Sequence, residues 1–340
     1  MKVAVIGAGV VGITTAYELA LQGHEVKVFE RNSSVAQECS FANAGVISPG
    51  YVTPWAKPGM AWHVLSQLGK KNAPVRISGL ELAEIAWLSK WWRACNSETF
   101  NRNRKNLLHL SLFSQQRLHE LTKRLHLNYD RSQGYMVLMR DERERKLLQA
   151  SIELMRAEGI DLKVLSTAEA LEIEPALNTA ETKLLEALYF PHDEVGNCRE
   201  FAYLVKKEAE DLGVEFELNA HVQNLLPNQA DTIRLSQQDK GQKFDAIVAC
   251  AGLASATLLK PLGIKIPLMA VHGYSISAAV REPLDAPRSG VMDERYKISI
   301  TRLGQRVRVS GSAEIGGDPK KTREQSIKTL FKVLDDWFPG

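Results

Sequence analysis

The N-terminal region follows a strand–helix–strand pattern. Lys2–Ile6 is an apolar run rich in β-branched side chains, which is typical of a strand buried on both faces. Ile13–Leu21 places apolar side chains on one face of a predicted helix, and Gly23 ends that helix. Glu25–Glu30 is a second predicted strand, and it ends in an acidic residue. This order predicts a βαβ unit with two parallel strands.

The same pattern resumes much later in the chain. Glu200–Leu212 is predicted to be an amphipathic helix, and Val214–Leu218 is predicted to be the strand that follows it. Asp245–Gly252 then gives an acidic residue, a buried strand and a turn of small residues. We therefore predict a discontinuous Rossmann-like domain made of residues 1–60 and 190–262, with other material inserted between its parts.

Residues 61–189 and 263–340 are predicted to form a second domain. Helical patterns cover Leu80–Cys95 and Phe100–Leu127, whereas Tyr135–Met139 is an apolar run typical of a buried strand. Further strand patterns follow toward the C-terminus. The predicted fold class is therefore α/β, with a Rossmann-like domain and an inserted domain of mixed β-sheet plus helices.

Three glycines after the first strand carry the first candidate chemistry. Gly7, Gly9 and Gly12 have the spacing G-x-G-x-x-G between a predicted strand and a predicted helix. Gly7 suits the tight turn, Gly9 lets a pyrophosphate approach the backbone, and Gly12 lets the helix pack closely on the strand. Glu30 ends the second strand and is placed to accept hydrogen bonds from ribose hydroxyls. The motif predicts a dinucleotide site without distinguishing FAD from NAD.

Length, charge and cysteine spacing argue against several classes of protein. The 340 residues suffice for about two domains. With 43 Lys and Arg against 40 Asp and Glu, the net charge of +3 is too small to indicate nucleic-acid binding. The four cysteines are too far apart for a zinc motif, so we predict no metal site and expect reduced thiols in a cytoplasmic protein. No uncharged stretch is suited to a transmembrane helix.

A segment of small residues is the second candidate site. Residues 39–59 read CSFANAGVISPGYVTPWAKPG, which predicts irregular backbone. Small residues allow the backbone to come close to a planar or charged ligand. An ordinary loop rich in Ser, Gly and Pro is the alternative interpretation.

Four stretches together carry a resemblance to a known family. They are VAVIGAGVVG with Glu30, SFANAGVISPGYVTPWAKPG, PHDEVGNC at residues 191–198, and YKISITRLGQRVRVSG at residues 296–311. In these stretches, and along essentially its whole length, the chain resembles the FAD-dependent D-amino acid dehydrogenases of bacteria, within the wider D-amino acid oxidase and glycine oxidase family. The resemblance implies a D-amino acid oxidase-like fold that binds FAD non-covalently.

The resemblance also implies which residues contact FAD. The glycine turn, the acid at the second strand end, the small-residue segment and the later small-residue turn match segments that contact the cofactor in the family. The positions so implied are Val3, Gly7, Ala8, Gly9, Val10, Val11, Gly12, Tyr17, Glu30, Arg31, Ser40, Asn43, Ala44, Gly45, Ala251 and Gly252.

In the family, an arginine at the end of a sheet strand holds the substrate carboxylate, since its planar guanidinium donates two parallel hydrogen bonds. Lys297–Thr301 alternates as a half-buried strand and puts Arg302 at that end, with a solvated charge as the alternative. Arg308 is the weaker candidate, because its neighbours place it in mid-strand and not at a strand end. Tyr274 and Tyr51 are implied as further substrate-binding residues, with core packing as the alternative. No general base is assigned.

The reaction is implied by the same resemblance. Members oxidise a D-amino acid, here with D-alanine as the expected substrate, by hydride transfer from its α-carbon to FAD. Water then converts the imino acid to a 2-oxo acid and ammonia, and the electrons pass to a membrane quinone or another acceptor. A glycine- or sarcosine-type amine oxidase on the same fold is one alternative. A nicotinamide dehydrogenase is a weaker one, because SFANAGVISPG and PHDEVGN would then lack a role. In the latter segment, His192 and Asp193 are either pocket or turn residues.

Aromatic residues in the Leu80–Cys95 helix permit two interpretations. Trp87, Trp91, Trp92 and Arg93 suit contact with a membrane surface, which the quinone-coupled family favours. A packed helix with aromatic core residues is the interpretation that the residue pattern itself favours. The expected location is therefore the cytoplasm, with peripheral contact to the inner membrane as a further hypothesis.

The C-terminus departs from the family pattern. The helix-like segment Gln325–Trp337 is followed closely by Gly340, and nothing in residues 313–340 matches the glycine-rich, flavin-contacting stretch that comes next in the family. We therefore expect an incomplete FAD-binding domain. A truncated, non-catalytic remnant is the last alternative that the sequence leaves open.

Overall fold

The chain forms two compact units, each assembled from separate stretches. The computed structural model describes residues 1–67, 75–77, 82–238, 240–316 and 322–340. Unit 1 consists of Met1–Asn43, Leu125–Tyr129 and Cys198–Ala270, and unit 2 consists of Ala44–Arg124, Asp130–Asn197 and Val271–Gly340. The domain limits proposed from the sequence stay a prediction about functional domains. The chain passes from one compact unit to the other after residues 43, 124, 129, 197 and 270.

The described residues contain strands and helices along the whole chain. The strands are β1 (Lys2–Ile6), β2 (Glu25–Phe29), β3 (Val46–Ile47), β4 (Val75–Ile77), β5 (Ser132–Met139), β6 (Lys163–Ser166), β7 (Glu186–Val195), β8 (Glu215–Glu217), β9 (Thr232–Ile233), β10 (Gln242–Lys243), β11 (Ala246–Ala249), β12 (Val271–Ala279), β13 (Gly290–Asp293), β14 (Ile298–Leu303) and β15 (Arg306–Ile315). The α-helices are α1 (Val10–Leu21), α2 (Met60–Gln67), α3 (Leu82–Ala94), α4 (Ser97–Leu125), α5 (Glu142–Ala157), α6 (Thr167–Ile173), α7 (Cys198–Asp211), α8 (Ala254–Leu259) and α9 (Glu324–Trp337).

Unit 1 is built around a parallel sheet with the strand order β11-β1-β2-β8. Strand β1 is central, and Ile6 pairs with Phe29 of β2 on one side and with Ala249 of β11 on the other. Helix α1 connects β1 to β2 and packs against α7. The predicted βαβ unit is therefore confirmed, and the helix begins earlier than predicted because Val10 already has helical backbone after Gly9.

Unit 2 is built around a mixed sheet with the order β12-β15-β14-β13-β5-β7-β3, to which β4 and β6 add at β15 and β7. Most neighbouring strands are antiparallel, whereas β13 and β5 are parallel. Helix α9 packs on one face of this sheet, and helix α5 packs on the other. The α9 face carries Met136, Leu138, Ile298, Ile300, Val307 and Val309, which pack with Leu330, Val333 and Trp337 of α9.

The opposite face of this sheet, the α5 face, carries the alternate residues of the same strands. Tyr135, Val137 and Met139 of β5 pack there with Leu148, Ile152 and Met155 of α5. This alternation follows from the two-residue period of a strand. The predicted α/β fold class is confirmed in both units.

Several predicted elements shift at their ends. The strand predicted for Lys297–Thr301 runs from Ile298 to Leu303, because Lys297 has a left-handed backbone with a φ of 53°. Arg302 is therefore the last residue but one of β14, close to the strand end where it was expected. The helix predicted for Leu80–Cys95 is observed as Leu82–Ala94, and its predicted first residues lie outside the described part of the chain.

Candidate functional site

The glycine turn of unit 1 brings three predicted segments together. Gly7 has a φ of 102°, and a Cβ atom there would lie 2.6 Å from the Cys250 carbonyl oxygen and 3.1 Å from the Ala251 Cα. A Cβ atom on Gly12 would lie 1.8 Å from the Gly7 carbonyl oxygen. Backbone is therefore packed against backbone at both positions, and only glycine fits. Ala251, predicted separately from the sequence, lies beside this turn.

The N-terminus of α1 presents backbone donors after this turn. Gly9 is the N-cap residue, and the first turn of the helix holds no acidic side chain. The Val10 N–H donates to the Ser40 hydroxyl oxygen at 3.0 Å. In the described part of the chain, the N–H groups of Val11 and Gly12 have no hydrogen-bond acceptor. Free N–H groups at the positive end of a helix dipole fit an anionic group such as a pyrophosphate.

Glu30 lies at the end of β2 beside the glycine turn. Its Oε2 accepts the Ala8 N–H at 2.7 Å, and its Oε1 accepts the Asn32 N–H at 2.9 Å. The Asn32 side-chain amide also donates to Oε1, at 2.8 Å. Because a carboxylate oxygen can accept two hydrogen bonds, Oε2 retains acceptor capacity for a ribose hydroxyl. The residues present in unit 1 thus fit the ADP half of FAD: helix N–H groups for the phosphates and one carboxylate for the ribose.

The other residues predicted to contact FAD fall into two groups. Within unit 1, Val3 and Tyr17 are buried in the core, and the Arg31 guanidinium forms an ion pair with Glu38. The Asn43 amide donates to the Cys39 carbonyl oxygen at 3.4 Å, and Gly252 has a φ of 54°. Ala44 and Gly45 belong to unit 2. Roles for these residues in FAD binding stay predictions.

In unit 2, the small-residue segment is fixed to the strand that carries PHDEV. Val46 and Ile47 of β3 pair with Val195 and Glu194 of β7. The Gly196 N–H donates to the Gly45 carbonyl oxygen at 2.8 Å. Gly45 has a φ of 73°, and a Cβ atom there would lie 2.9 Å from the Gly196 carbonyl oxygen, so glycine is required. The small-residue segment and the PHDEVGN stretch, which are far apart in the sequence, are therefore hydrogen-bonded to each other.

The Asp193 carboxylate makes two hydrogen bonds to this segment. One carboxylate oxygen accepts the Ser48 hydroxyl, and the other accepts the Gly50 N–H at 3.3 Å. The side chain is buried, and this burial raises the pKa of Asp193 to about 6. The sequence offered Asp193 only as a pocket or turn residue; its partners lie about 145 positions away along the chain, which no local pattern could reveal.

Tyr51 lies within this segment and belongs to a polar cluster in unit 2. Its hydroxyl donates to a Glu294 carboxylate oxygen at 2.8 Å, and its ring packs edge-on against Phe190 at 5.7 Å between centroids. Lys297 forms an ion pair with the same carboxylate. Burial raises the pKa of Tyr51, so the neutral phenol is the form present near neutral pH. A role for Tyr51 in substrate binding stays a prediction.

The two candidate arginines lie on opposite faces of the unit 2 sheet. Arg302 alternates with Thr301 and lies on the α9 face, where it donates to the carbonyl oxygens of Gly304 and Pro283 at 3.2 and 3.1 Å. Arg308 lies on the α5 face, buried, opposite Thr301 in the neighbouring strand. The Thr301 hydroxyl on that face donates to the Ala44 carbonyl oxygen at 2.8 Å. Arg308, and not Arg302, therefore shares a face with the small-residue segment.

Several hydroxyl groups lie on the same sheet face as Arg308. The Arg308 Nε donates to the Ser277 hydroxyl at 3.4 Å, and the Tyr135 and Ser299 hydroxyls are 2.8 Å apart. The buried Ser310 hydroxyl has no hydrogen-bond partner within the described ranges. Such a group is costly to bury unless a ligand or water satisfies it. Sequence reasoning missed this hydroxyl-rich patch because serines in a strand carry no distinctive spacing.

Tyr274 lies on the α9 face with Arg302. Its ring packs against the core on that face, and its hydroxyl donates to Glu314 at 2.8 Å. Arg302 and Tyr274, the first two substrate-binding candidates, are thus on the face away from Ala44. Their predicted roles have no support from this arrangement.

Helices α2 and α3 of unit 2 expose an apolar surface. Trp62 and Trp92 pack edge-on with ring centroids 5.3 Å apart, and they are 70% and 41% exposed. Leu82 and Ile85 are also exposed, whereas Trp87 and Trp91 are half-buried. Basic side chains lie among them at Lys90 and Arg93. Across the described ranges, the helices all fall short of the length and hydropathy that a membrane span requires.

Comparisons with known proteins agree with the geometry of unit 1. The family model described as DAO, FAD dependent oxidoreductase, matches residues 2–340. The whole chain aligns at 37% identity with a protein named D-amino acid dehydrogenase from Allorhizobium ampelinum, covering 81% of that protein. A protein of the same name from Rhizobium rhizogenes is 39% identical and 82% covered. The chain therefore spans about four-fifths of these relatives.

Solved structures show the same fold at lower identity. The glycine oxidase from Geobacillus kaustophilus superposes with a TM-score of 0.74 at 18% identity, over 99% of this chain and 78% of that one. The L-proline dehydrogenase from P. horikoshii gives 0.66 at 17% identity, over 100% of this chain and 77% of that one. These likenesses support the fold alone. The family match extends over nearly the entire sequence, so the chain belongs to the DAO family of FAD-dependent oxidoreductases.

Proposed function

We propose that this chain oxidises D-amino acids to 2-oxo acids and ammonia, with D-alanine as a substrate. The observation that carries this proposal is the full-length alignment, at 37–39% identity, with proteins named D-amino acid dehydrogenase. The glycine turn and the free N–H groups of α1 support it, because they fit the dinucleotide that the family uses.

The chain's own residues would have two tasks, to hold the cofactor and to orient the substrate. The N–H groups of Val11 and Gly12 would hold the pyrophosphate, and the Glu30 carboxylate would hold the ribose. When bound, FAD supplies the oxidant that accepts a hydride from the substrate α-carbon. The protein's remaining task is to orient a zwitterionic amino acid, whose carboxylate is best matched by a guanidinium.

Arg308 is the arginine that we propose for this carboxylate. It is buried on the sheet face that also carries Thr301, whose hydroxyl bonds to Ala44 in the small-residue segment. The unsatisfied Ser310 hydroxyl on the same face offers a further donor to a carboxylate oxygen. Arg302, preferred from the sequence, already bonds to two backbone carbonyl oxygens on the opposite face.

For the electron acceptor we propose a membrane quinone reached by peripheral binding. The exposed Trp62 and Trp92 pair, with Lys90 and Arg93 nearby, combines aromatic and basic side chains that favour an anionic membrane surface. Sedimentation with phosphatidylglycerol vesicles tests this contact. We expect binding that Trp62→Ala weakens and that Leu147→Ala, an exposed apolar control on α5, leaves unchanged. No sedimentation of the unaltered chain would contradict the membrane proposal.

Anaerobic reduction tests the reaction itself. The purified 340-residue chain should be yellow, and D-alanine, but not L-alanine, should bleach its visible flavin absorption. Glycine or sarcosine turnover with peroxide production would indicate the amine oxidase alternative. A colourless chain that takes up no FAD would identify a non-catalytic polypeptide.

A further inference from the structure

The small-residue segment of unit 2 depends on one buried carboxylate for its shape. Residues 45–51 contain only a two-residue strand and a single 3₁₀ turn, Pro49–Tyr51. Beyond the β3–β7 pairing, the Asp193 side chain accepts the Ser48 hydroxyl and the Gly50 N–H. Both hydrogen bonds are made to residues that lie beyond β3 and are not paired with another strand.

Gly50 shows how closely the segment is held. A Cβ atom at this position would lie 2.8 Å from Phe190 Cδ1, 3.1 Å from Ile160 Cγ2 and 3.2 Å from the Asp193 Oδ2. The backbone of residue 50 is therefore pressed against β7 and the Asp193 carboxylate, with no room for a side chain. Such close contact fixes the path of the chain between Ala44 and Tyr51.

We propose that Asp193 is a positioning residue, which holds residues 45–51 in the conformation that binding of the flavin requires. The inference rests on the proposed contact of Ala44 and Gly45 with FAD. This role would explain the PHDEVGN segment, which is not part of the βαβ motif and has no function in the proposed reaction. Asp193 acts through Ser48 and Gly50 and needs no contact with substrate.

The surroundings of Asp193 argue against a purely structural role. A carboxylate whose pKa is raised to about 6 by burial is held in its charged form against the preference of its environment near neutral pH. A neutral side chain of the same shape would therefore be tolerated or preferred for folding. Two charge-assisted hydrogen bonds to one segment are what the charged form adds.

Flavin affinity and thermal stability should consequently respond in different ways to Asp193→Asn. The asparagine amide oxygen can accept from Ser48 or from Gly50, but its amide nitrogen cannot accept from the other. We expect the dissociation constant for FAD, measured by fluorescence titration of the apoprotein, to rise at least tenfold. The melting temperature of the same apoprotein should stay equal or increase.

Two further variants complete the experiment. Asp161→Asn is the matched control, because Asp161 is an exposed carboxylate that pairs with the neighbouring His192 at 3.1 Å; it should leave FAD affinity unchanged. Ser48→Ala removes one of the two bonds and should weaken FAD binding less than Asp193→Asn does. It also keeps the test valid if Asp193→Asn fails to fold.

The outcomes separate this inference from the proposed function. If the unaltered chain binds FAD and both Asp193→Asn and Ser48→Ala bind it equally well, the positioning role is overturned while FAD binding stands. If Asp193→Asn lowers affinity and melting temperature in parallel, a purely structural role replaces it. If the unaltered chain binds no FAD, both the inference and the proposed flavin chemistry fail.

Discussion

Replacing Glu174 by Gln should stabilise the protein near and above neutral pH and have little effect at acidic pH. Glu174 is 4% exposed, and its Oε2 accepts the Arg288 N–H at 2.7 Å. Its Oε1 has no hydrogen-bond partner among the described residues. Burial raises the pKa of Glu174 from 4.5 to about 7, so folding disfavours the charged form.

The sign and size follow from this pKa difference. Below pH 4.5 the carboxyl is protonated in both states and adds no penalty; the penalty grows as the pH rises to 7 and is constant above it. A difference of about 2.5 between the two pKa values corresponds to about 3 kcal/mol. Glu174→Gln should therefore raise the free energy of unfolding by about 3 kcal/mol at pH 8 and by less than about 1 kcal/mol at pH 5.

Urea denaturation followed by tryptophan fluorescence at both pH values measures this effect. Glu169→Gln is a control of opposite sign, because Ser166 donates hydrogen bonds that lower the pKa of the exposed Glu169 in the capping box of α6. That variant should lose stability at pH 8. A Glu174→Gln protein that is less stable at pH 8, or equally stabilised at both pH values, would refute the reasoning.

Three other substitutions test the remaining geometry. Gly12→Ala puts a Cβ atom 1.8 Å from the Gly7 carbonyl oxygen, so it should abolish FAD binding in a fluorescence titration. The Arg140 guanidinium contacts the carboxylates of Asp293 and Asp336 at 2.6 and 2.8 Å. Arg140→Ala removes this buried cation, so urea denaturation should show a free energy of unfolding that is lower by about 3–5 kcal/mol. Arg308→Ala should raise KM for D-alanine at least tenfold at unchanged FAD content, whereas Arg302→Ala should not. The reverse result would restore the preference drawn from the sequence.

Local patterns were sufficient for the βαβ unit and the glycine turn. Lys2–Ile6 and the glycine spacing lie within one short stretch, so their hydrophobic period and turn chemistry specify the structure without distant contacts. Local patterns do not show on which face of the sheet an arginine side chain lies. Moving by one residue along a strand changes the face, and the faces of β14 are defined by α5 and α9, which are remote in sequence.

The choice between Arg302 and Arg308 shows this limit. The pattern from Lys297 to Thr301 indicates a strand correctly, but alternation alone does not say which set of residues meets the small-residue segment. The Thr301 bond to Ala44 supplies that information, and the two residues are 257 positions apart. A resemblance at the level of motifs could therefore name an arginine in this hairpin without showing which of the two shares a sheet face with Ala44.

Two of the buried carboxylates of unit 2, those of Glu174 and Asp193, connect stability with function in opposite ways. Glu174 and Asp193 both have a pKa raised by burial, so each disfavours the folded state when charged. Glu174 lies with Arg288 and has one unsatisfied oxygen, whereas both oxygens of Asp193 accept bonds from the segment after Gly45. Neutralising Glu174 should therefore yield a more stable protein with unchanged FAD affinity. Neutralising Asp193 should yield a protein of at least equal stability that binds FAD poorly, because only there does the charge hold a segment proposed to meet the cofactor.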